Sequence, residues 1–260
     1  DSLFADRKPM VGQLILKAID PSRSLLTQAD VLQADIDRLP EQIEQGRLST
    51  VYQLYGLSLN RSEERLDYWL QILSDGSGSI DLTDQESLRI RDENTPWVED
   101  FAALKDLWRK QLENQAIGLL LADRTEDEVF KALIRRYKSQ KNRLEQTRPD
   151  DIFAGIINAY ASAYDPHTSY LPPADSETFN INMSLSLQGI GAVLQSEDEF
   201  TKVVSLIPGG PAEMDGRLKP ADRILSIAQG SQSFEDVVGW RLDEVVQKIR
   251  GPKGSQVRLE

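Results

Sequence analysis

The chain has 260 residues, 40% of them hydrophobic and 28% charged, a composition typical of a globular protein with one large or two modest domains. Its formal net charge of -12 at pH 7 argues against nucleic acid and anionic membranes as partners, because both require a basic surface. Cysteine is absent and His167 is the single histidine, so thiolate chemistry is excluded and a zinc site or a Ser-His-Asp triad is disfavoured.

Six amphipathic stretches in the first two-thirds of the chain have apolar residues at helical spacing. They cover residues 10–20, 27–46, 48–73, 96–123, 125–151 and 149–165. Thr27 is a candidate N-cap, Pro96 is placed to occupy a first helical position, and Thr125 with Glu128 matches a capping box. We expect the six helices to pack as one domain and to bury Trp69, Phe101, Leu104 and Trp108.

A polar segment at residues 74–96 interrupts the helical series and is predicted to be an exposed loop. Its Asp-Gly-Ser-Gly run does not match the ligand spacing of an EF-hand, because glycine stands at two positions that need oxygen donors. No run of apolar residues approaches the ~20 needed to span a membrane. The sequence therefore predicts no metal site, no cofactor and no membrane insertion.

The periodicity changes after a turn-rich stretch at residues 165–179. Short alternating runs then predict strands, and one amphipathic stretch at about 236–250 predicts a helix with Val238, Leu242, Val245 and Ile249 on one face. One strand-like run, SLSLQGIGAVLQ, is interrupted by Gly189 and Gly191. Glycine weakens a strand, so the presence of two glycines in this run calls for a structural or functional explanation.

The order of these elements resembles a PDZ domain, and three motifs narrow the resemblance: SLQGIGAVLQ, DPHTSYL and GWRLDEVVQKIRGPKGS. Together with the helical region they are similar to the tail-specific type of carboxy-terminal processing protease. The resemblance implies an α+β chain, with a helical N-terminal domain at 1–180 and a PDZ-like domain at 181–260 that is incomplete at its C-terminal end. Ala221 stands where the PDZ family commonly has glycine, so we expect the turn there to adopt another geometry.

The resemblance also implies a peptide-binding site. In a PDZ domain, backbone N–H groups before the binding strand form a concavity that holds a terminal carboxylate, and the peptide adds to the sheet as a further strand. Glycine lets the backbone approach the ligand. The expected site comprises Gly189, Ile190, Gly191, Ala192, Val193, Val238, Leu242 and Val245. The pattern alone does not separate the helix residues that line the groove from those that face the core.

By resemblance, the parent protein is a periplasmic serine endopeptidase with a Ser-Lys dyad that binds and degrades or processes proteins from their C-terminal tails. No catalytic residue is assigned in these 260 residues, so we expect this chain alone to be inactive. Expected partners are protein substrates with apolar C-terminal residues and a helical-repeat lipoprotein adaptor. A non-catalytic scaffold with a PDZ module is the main alternative, and an HtrA-like protease is disfavoured by the order of the domains.

Overall fold

A computed structural model describes residues 8–76, 80, 86–173, 175, 176, 179, 180 and 189–260. The chain divides into two compact units, Asp1–Pro172 and Pro173–Glu260. The first unit is helical and the second combines short strands with short helices, which confirms the predicted α+β class. The predicted domain boundary at 180/181 stays a prediction, because residues 181–188 lie outside the described part of the chain.

The first unit is built from seven α-helices in the described residues, with a short 3-10 turn between the second and the third. They are α1 (Lys8–Ile19), α2 (Gln28–Gln33), the 3-10 turn Ile36–Arg38, α3 (Leu39–Glu44), α4 (Ser49–Ser74), α5 (Phe101–Leu120), α6 (Glu126–Glu145) and α7 (Pro149–Tyr164). None of the helices described is long and apolar enough to cross a membrane.

Two apolar cores lie in the first unit, and α4 contributes to both. Val51 and Leu54, near its start, pack with buried residues of α1, α3 and α7. Leu66 and Trp69, about three to five turns further on, pack with buried residues of α5 and α6. A helix of 26 residues extends about 39 Å, which is long enough to serve two separate clusters. Trp69, Leu104 and Trp108 are buried as predicted, whereas Phe101 is 38% exposed.

The single helix predicted over residues 27–46 is wrong. Thr27 does form the predicted cap, within a capping box whose partner is Asp30. The helix then ends, and Asp35 has a φ of 46° in the left-handed region. Pro40 at the start of α3 has no N–H to continue a helical ladder and would clash with the preceding turn. The break brings the Ile36 carbonyl against α1, where a Cβ on Gly12 would lie 2.6 Å from that oxygen.

The helix predicted to begin at Pro96 begins instead at Phe101. Asp100 is its N-cap, because the Asp100 carboxylate accepts a hydrogen bond from the Ala103 N–H at 2.9 Å. The Pro96 carbonyl accepts a hydrogen bond of 2.6 Å from the Arg91 guanidinium. The capping box predicted for α6 is confirmed, with Thr125 and Glu128 bonded reciprocally.

A buried carboxylate organises the turn between α1 and α2. Asp20 is 1% exposed, and its two oxygens accept hydrogen bonds from the N–H groups of Ser24, Leu25 and Leu26 at 2.8–3.0 Å. Burial raises the pKa of Asp20, and the three backbone donors oppose that rise. The Ser24 carbonyl in turn accepts from the Trp108 indole N–H at 2.7 Å, so the turn is tied to the second apolar core.

The turn-rich stretch after α7 is held by two polar side chains. The Asp165 carboxylate accepts from the His167 N–H at 3.0 Å and from the Thr168 hydroxyl at 2.7 Å, in keeping with the turn predicted there. The Asn158 amide bonds the Tyr170 backbone in both directions, at 3.1 and 2.6 Å. The Asn158 side chain thus satisfies both backbone groups of Tyr170, as the backbone of a paired strand would.

The second unit contains two small antiparallel sheets in its described residues. One has the order β1 (Ala192–Glu197), β2 (Phe200–Leu206) and β3 (Arg223–Ile224), and the other has the order β5 (Glu235–Asp236), β4 (Ser226–Gln229) and β6 (Val257–Leu259). The unit also contains helices α8 (Pro211–Asp215) and α9 (Leu242–Ile249). Its core consists of Ile224, Ile227, Val237, Val245 and Ile249.

The expectation for Ala221 is wrong, because this alanine adopts the left-handed conformation with a φ of 75°. The turn is held by backbone pairing with β2. The Ala221 N–H donates to the Val203 carbonyl at 2.8 Å, and the Val203 N–H donates to the Asp222 carbonyl at 2.8 Å. These bonds keep alanine in a conformation that costs about 1–2 kcal/mol relative to a relaxed one.

Candidate functional site

The Gly-Ile-Gly loop directly precedes β1, and Gly191 is buried there with a φ of 74°. A Cβ on Gly191 would lie 3.1 Å from the Gly210 Cα and 3.4 Å from the Pro211 Cδ. A Cβ on Gly210 would meet the Ile207 carbonyl oxygen at 2.8 Å. Gly191 is therefore required by the close approach of two backbone turns, a reason within the fold that the sequence pattern did not reveal. Gly189 has open space where a Cβ would project.

Hydrogen bonds fix the loop through its carbonyl groups. The Gly191 carbonyl accepts from the Ile207 N–H and the Ile190 carbonyl accepts from the Ala212 N–H, each at 2.8 Å. By contrast, the N–H groups of Gly189, Ile190 and Gly191 donate to no acceptor within the described residues. The loop thus has three successive donors available at the start of a strand, and successive backbone donors are the groups with which a nest binds an anion.

The strand that follows is at an edge of its sheet. Among the described strands, β1 pairs only with β2. Its side chains alternate, so that Ala192 and Leu194 are half-buried while Val193 and Gln195 are exposed. Leu194 and Ile190 pack against the core of the second unit. The second edge of β1 is therefore open to further pairing among the described residues.

Helix α9 contacts both β1 and β4 and divides its apolar residues between two roles. Val245 is fully buried and Ile249 is 5% exposed, and both belong to the core. Leu242 and Val246 are half-buried and lie outside that core. The two are four residues apart, so they lie on one face of the helix. The sequence prediction named Val245 and did not name Val246, although the four-residue spacing from Leu242 places Val246 on the same face.

The helix predicted to begin at about Asp236 begins at Leu242, so Val238 is not on it. Asp236 pairs with Ser226 in the second sheet, and Val238 lies in the turn that follows. Gly239 has a φ of 80°, and its N–H donates to the Glu199 carbonyl at 2.6 Å. The chain must complete this turn before a helix can start. Of the eight predicted site residues, five lie on the loop and β1, Leu242 and Val245 lie on α9, and Val238 lies in the turn before α9.

Charged side chains near these elements are mostly paired. On β1, Glu197 forms ion pairs with Lys202 at 2.7 Å and with Arg223 at 2.8 Å, and these two cations hold its pKa below the ordinary range. On α9, Lys248 pairs with Glu235 at 2.7 Å. These charged side chains of β1 and α9 are therefore engaged with partners inside the second unit. The described residues contain no group of His, Asp or Glu side chains suited to hold a metal ion.

Comparisons with known proteins identify both units. The family model for the tail-specific protease N-terminal domain matches residues 9–174, and the PDZ domain model matches residues 178–260. The chain is 41% identical over 237 residues to the tail-specific protease of Haemophilus influenzae, which covers 88% of this chain and 34% of that protein. It is 33% identical over 138 residues to the carboxy-terminal processing protease CtpA of Bacillus subtilis, covering 52% of this chain and 28% of that protein.

A solved structure of the PDZ domain of the carboxy-terminal protease from Vibrio cholerae, in complex with peptide, is 56% identical, with a TM-score of 0.28. The match between the two covers 29% of the present chain and 76% of the Vibrio cholerae chain. The present chain spans about a third of the length of its Haemophilus relative. From the match over its helical unit and the identity to that relative, the chain belongs to the tail-specific protease family.

Proposed function

We propose that residues 189–260 capture the C-terminal carboxylate of an unstructured protein tail. The observation that carries this proposal is the set of three N–H groups at Gly189, Ile190 and Gly191, which have no acceptor in the described residues and stand at the head of an open strand edge. A hydrogen bond to a charged group contributes about 1.5–3 kcal/mol, so two or three of them favour a free carboxylate over a neutral terminus.

The tail adds to β1 as a further antiparallel strand, with its terminal side chain between β1 and α9. Leu242 and Val246 supply apolar surface on the helix side. Burying one apolar terminal side chain contributes roughly 1.5–3 kcal/mol. The loss of translational freedom and the ordering of the peptide oppose binding by about 4–15 kcal/mol, so we expect a Kd of about micromolar or weaker. Weak capture allows one tail to be released and the next accepted.

We extend the proposal to a wider function, which membership of the family supports. The chain is the substrate-recognition portion of a periplasmic serine protease that degrades or processes proteins from apolar C-terminal tails. The Ser-Lys dyad of that activity is not assigned to any of these 260 residues, and the helical unit docks a helical-repeat lipoprotein adaptor. We expect this chain to leave an unstructured protein with an apolar C-terminus intact, as read by mass spectrometry. Specific cleavage that persists through repurification would contradict this assignment.

The binding proposal is tested by titrating the chain with one N-terminally labelled apolar peptide, as the free acid and as the C-terminal amide. Amidation is expected to weaken binding at least about tenfold, because the N–H groups then face a neutral group. Leu242→Ala should also weaken the free acid, whereas Gln247→Ala, a change at an exposed position of α9, should not. Equal binding of the acid and the amide would show that the loop is only an interruption of the strand.

A further inference from the structure

Helix α6 concentrates positive charge in a chain that is acidic as a whole. Residues 131–143 contain six Lys and Arg residues and no Asp or Glu, although the chain has 42 acidic residues against 30 basic ones. The apolar side of α6 is buried in the second apolar core. The opposite side of the helix is exposed, and most of the six cations lie on it.

Two of the six cations are paired within the first unit. The Lys131 Nζ lies 2.7 Å from the Asp127 carboxylate, and the Lys141 Nζ lies 2.6 Å from the Asp67 carboxylate. The other four are exposed and have no carboxylate partner among the residues that the structure describes. These four form the basic face of α6: Arg135, Arg136, Lys138 and Arg143.

Helical geometry brings the cations of the basic face close to one another. Arg135 and Lys138 are three residues apart, and Arg136 and Arg143 are about two turns apart on the same side of the helix. Like charges at such short spacing repel each other and destabilise a helix. On α5, by contrast, Arg109 is bonded to three carboxylates. The basic face therefore retains a repulsion that an acidic ligand would relieve.

We infer that the basic face of α6 binds an acidic segment of a polypeptide partner. The planar fork of a guanidinium matches the geometry of an Asp or Glu carboxylate, and three of the four cations are arginines. Arg135 and Arg143 are about 12 Å apart along the helix axis, which an extended segment of about four residues covers. The site lies in the first unit and does not rest on the proposed capture of C-terminal tails.

The size and surroundings of the basic face favour a short acidic segment over a nucleic acid or an anionic membrane. Both of these carry negative charge over a much larger area, and the acidic excess of the remaining chain would repel them. The first turn of α6 itself contains Glu126, Asp127 and Glu128. A short segment contacts the basic face alone, because more distant exposed charges are screened beyond a Debye length of about 8 Å at physiological salt.

The test uses the 260-residue chain and a fluorescently labelled peptide with four consecutive glutamates. The peptide is amidated at its C-terminus, so it offers no terminal carboxylate to the loop at 189–191. A matched peptide has four glutamines instead. In fluorescence anisotropy at about 50 mM NaCl, the glutamate peptide should bind at least about tenfold more tightly, and the difference should shrink at about 300 mM.

A pair of double variants locates the binding on the chain. Arg135→Gln with Lys138→Gln should weaken the glutamate peptide about two- to twenty-five-fold, because each exposed ion pair changes affinity about 1.5- to fivefold. Lys219→Gln with Lys253→Gln removes the same charge from two exposed positions of the second unit and should leave the affinity unchanged. Equal affinity for the two peptides, or an equal loss in both double variants, would overturn the inference.

Two further measurements exclude other occupants of the basic face. If a DNA duplex or anionic vesicles bind through Arg135 and Lys138 while the glutamate peptide does not, the partner class is wrong. Sedimentation at low salt should show no self-association that Arg135→Gln with Lys138→Gln abolishes. Such self-association would assign the basic face to acidic residues of a second copy and overturn the inference. Because the peptides are amidated, each of these results is independent of the comparison of free acid with amide that tests tail capture.

Discussion

Replacing Gly191 by alanine tests the close approach of two turns at the head of β1. The new Cβ would lie 3.1 Å from the Gly210 Cα and 3.4 Å from the Pro211 Cδ. Neither turn can move freely, because the Gly191 carbonyl is bonded to the Ile207 N–H at 2.8 Å and the Gly210 N–H is bonded to the Ile207 carbonyl at 2.9 Å. The substitution must therefore strain the backbone or separate the two turns.

The cost has two parts. Alanine at a φ of 74° loses about 1–2 kcal/mol, and inserting a methyl group against fixed backbone atoms costs about 1–3 kcal/mol. We expect Gly191→Ala to lower the free energy of unfolding of the second unit by about 2–5 kcal/mol. Gly189→Ala is the matched control, because its Cβ has open space and its φ is not in the left-handed region, so its effect should stay within about 1 kcal/mol.

Hydrogen exchange followed by mass spectrometry at increasing urea measures the effect locally. Peptides from β1 and β2 report on the second unit, and peptides from α5 and α6 provide an internal reference that neither variant should change. Equal protection of β1 and β2 in the two variants would refute the close approach. A larger substitution such as Gly191→Val would be a poor test of carboxylate binding. Its side chain would disturb the fold of the loop, so a loss of peptide binding would not show that the carboxylate site is lost.

Three further predictions concern stability. Ala221→Gly should stabilise the second unit by about 0.5–1 kcal/mol, because relief of the left-handed strain exceeds the entropy cost of glycine. The same hydrogen-exchange experiment measures this change, and a destabilised second unit would contradict the prediction. Asp20→Asn should lower the free energy of unfolding of the first unit by about 2 kcal/mol, because an amide nitrogen then faces backbone donors. Urea unfolding measures this change, and unchanged stability would rule out the hydrogen bonds from residues 24–26 to the Asp20 carboxylate. Lys202 and then Arg223 lower the pKa of Glu197, so its stabilisation is complete above the ordinary value of 4.5 and is lost as the pH falls through the lower folded value. Glu197→Gln should therefore lose less stability than the unaltered chain between about pH 5 and 3, and equal losses would exclude this contribution.

Local signals in the sequence were sufficient for much of the architecture. Helical spacing of apolar residues placed the long helices. Thr27 marked the start of the short helix α2 and Thr125 the start of the long helix α6, because a cap depends only on neighbours within one turn. The family was also recognisable from short motifs. These motifs also predicted a donor loop followed by an open strand edge at β1. Strand addition uses backbone groups and not particular side chains, so recognising the domain is enough to expect it.

The tertiary structure decided what local spacing leaves open. Leu242, Val245 and Val246 are close together on one helix, and only the packing against Ile224 and Ile227 assigns Val245 to the core and leaves the other two half-buried. In the same way, Gly191 looked like a residue needed for ligand approach, but its neighbour is Gly210, 19 positions away in the printed sequence. Periodicity determines which side chains share a face, whereas contacts between distant segments determine what that face meets.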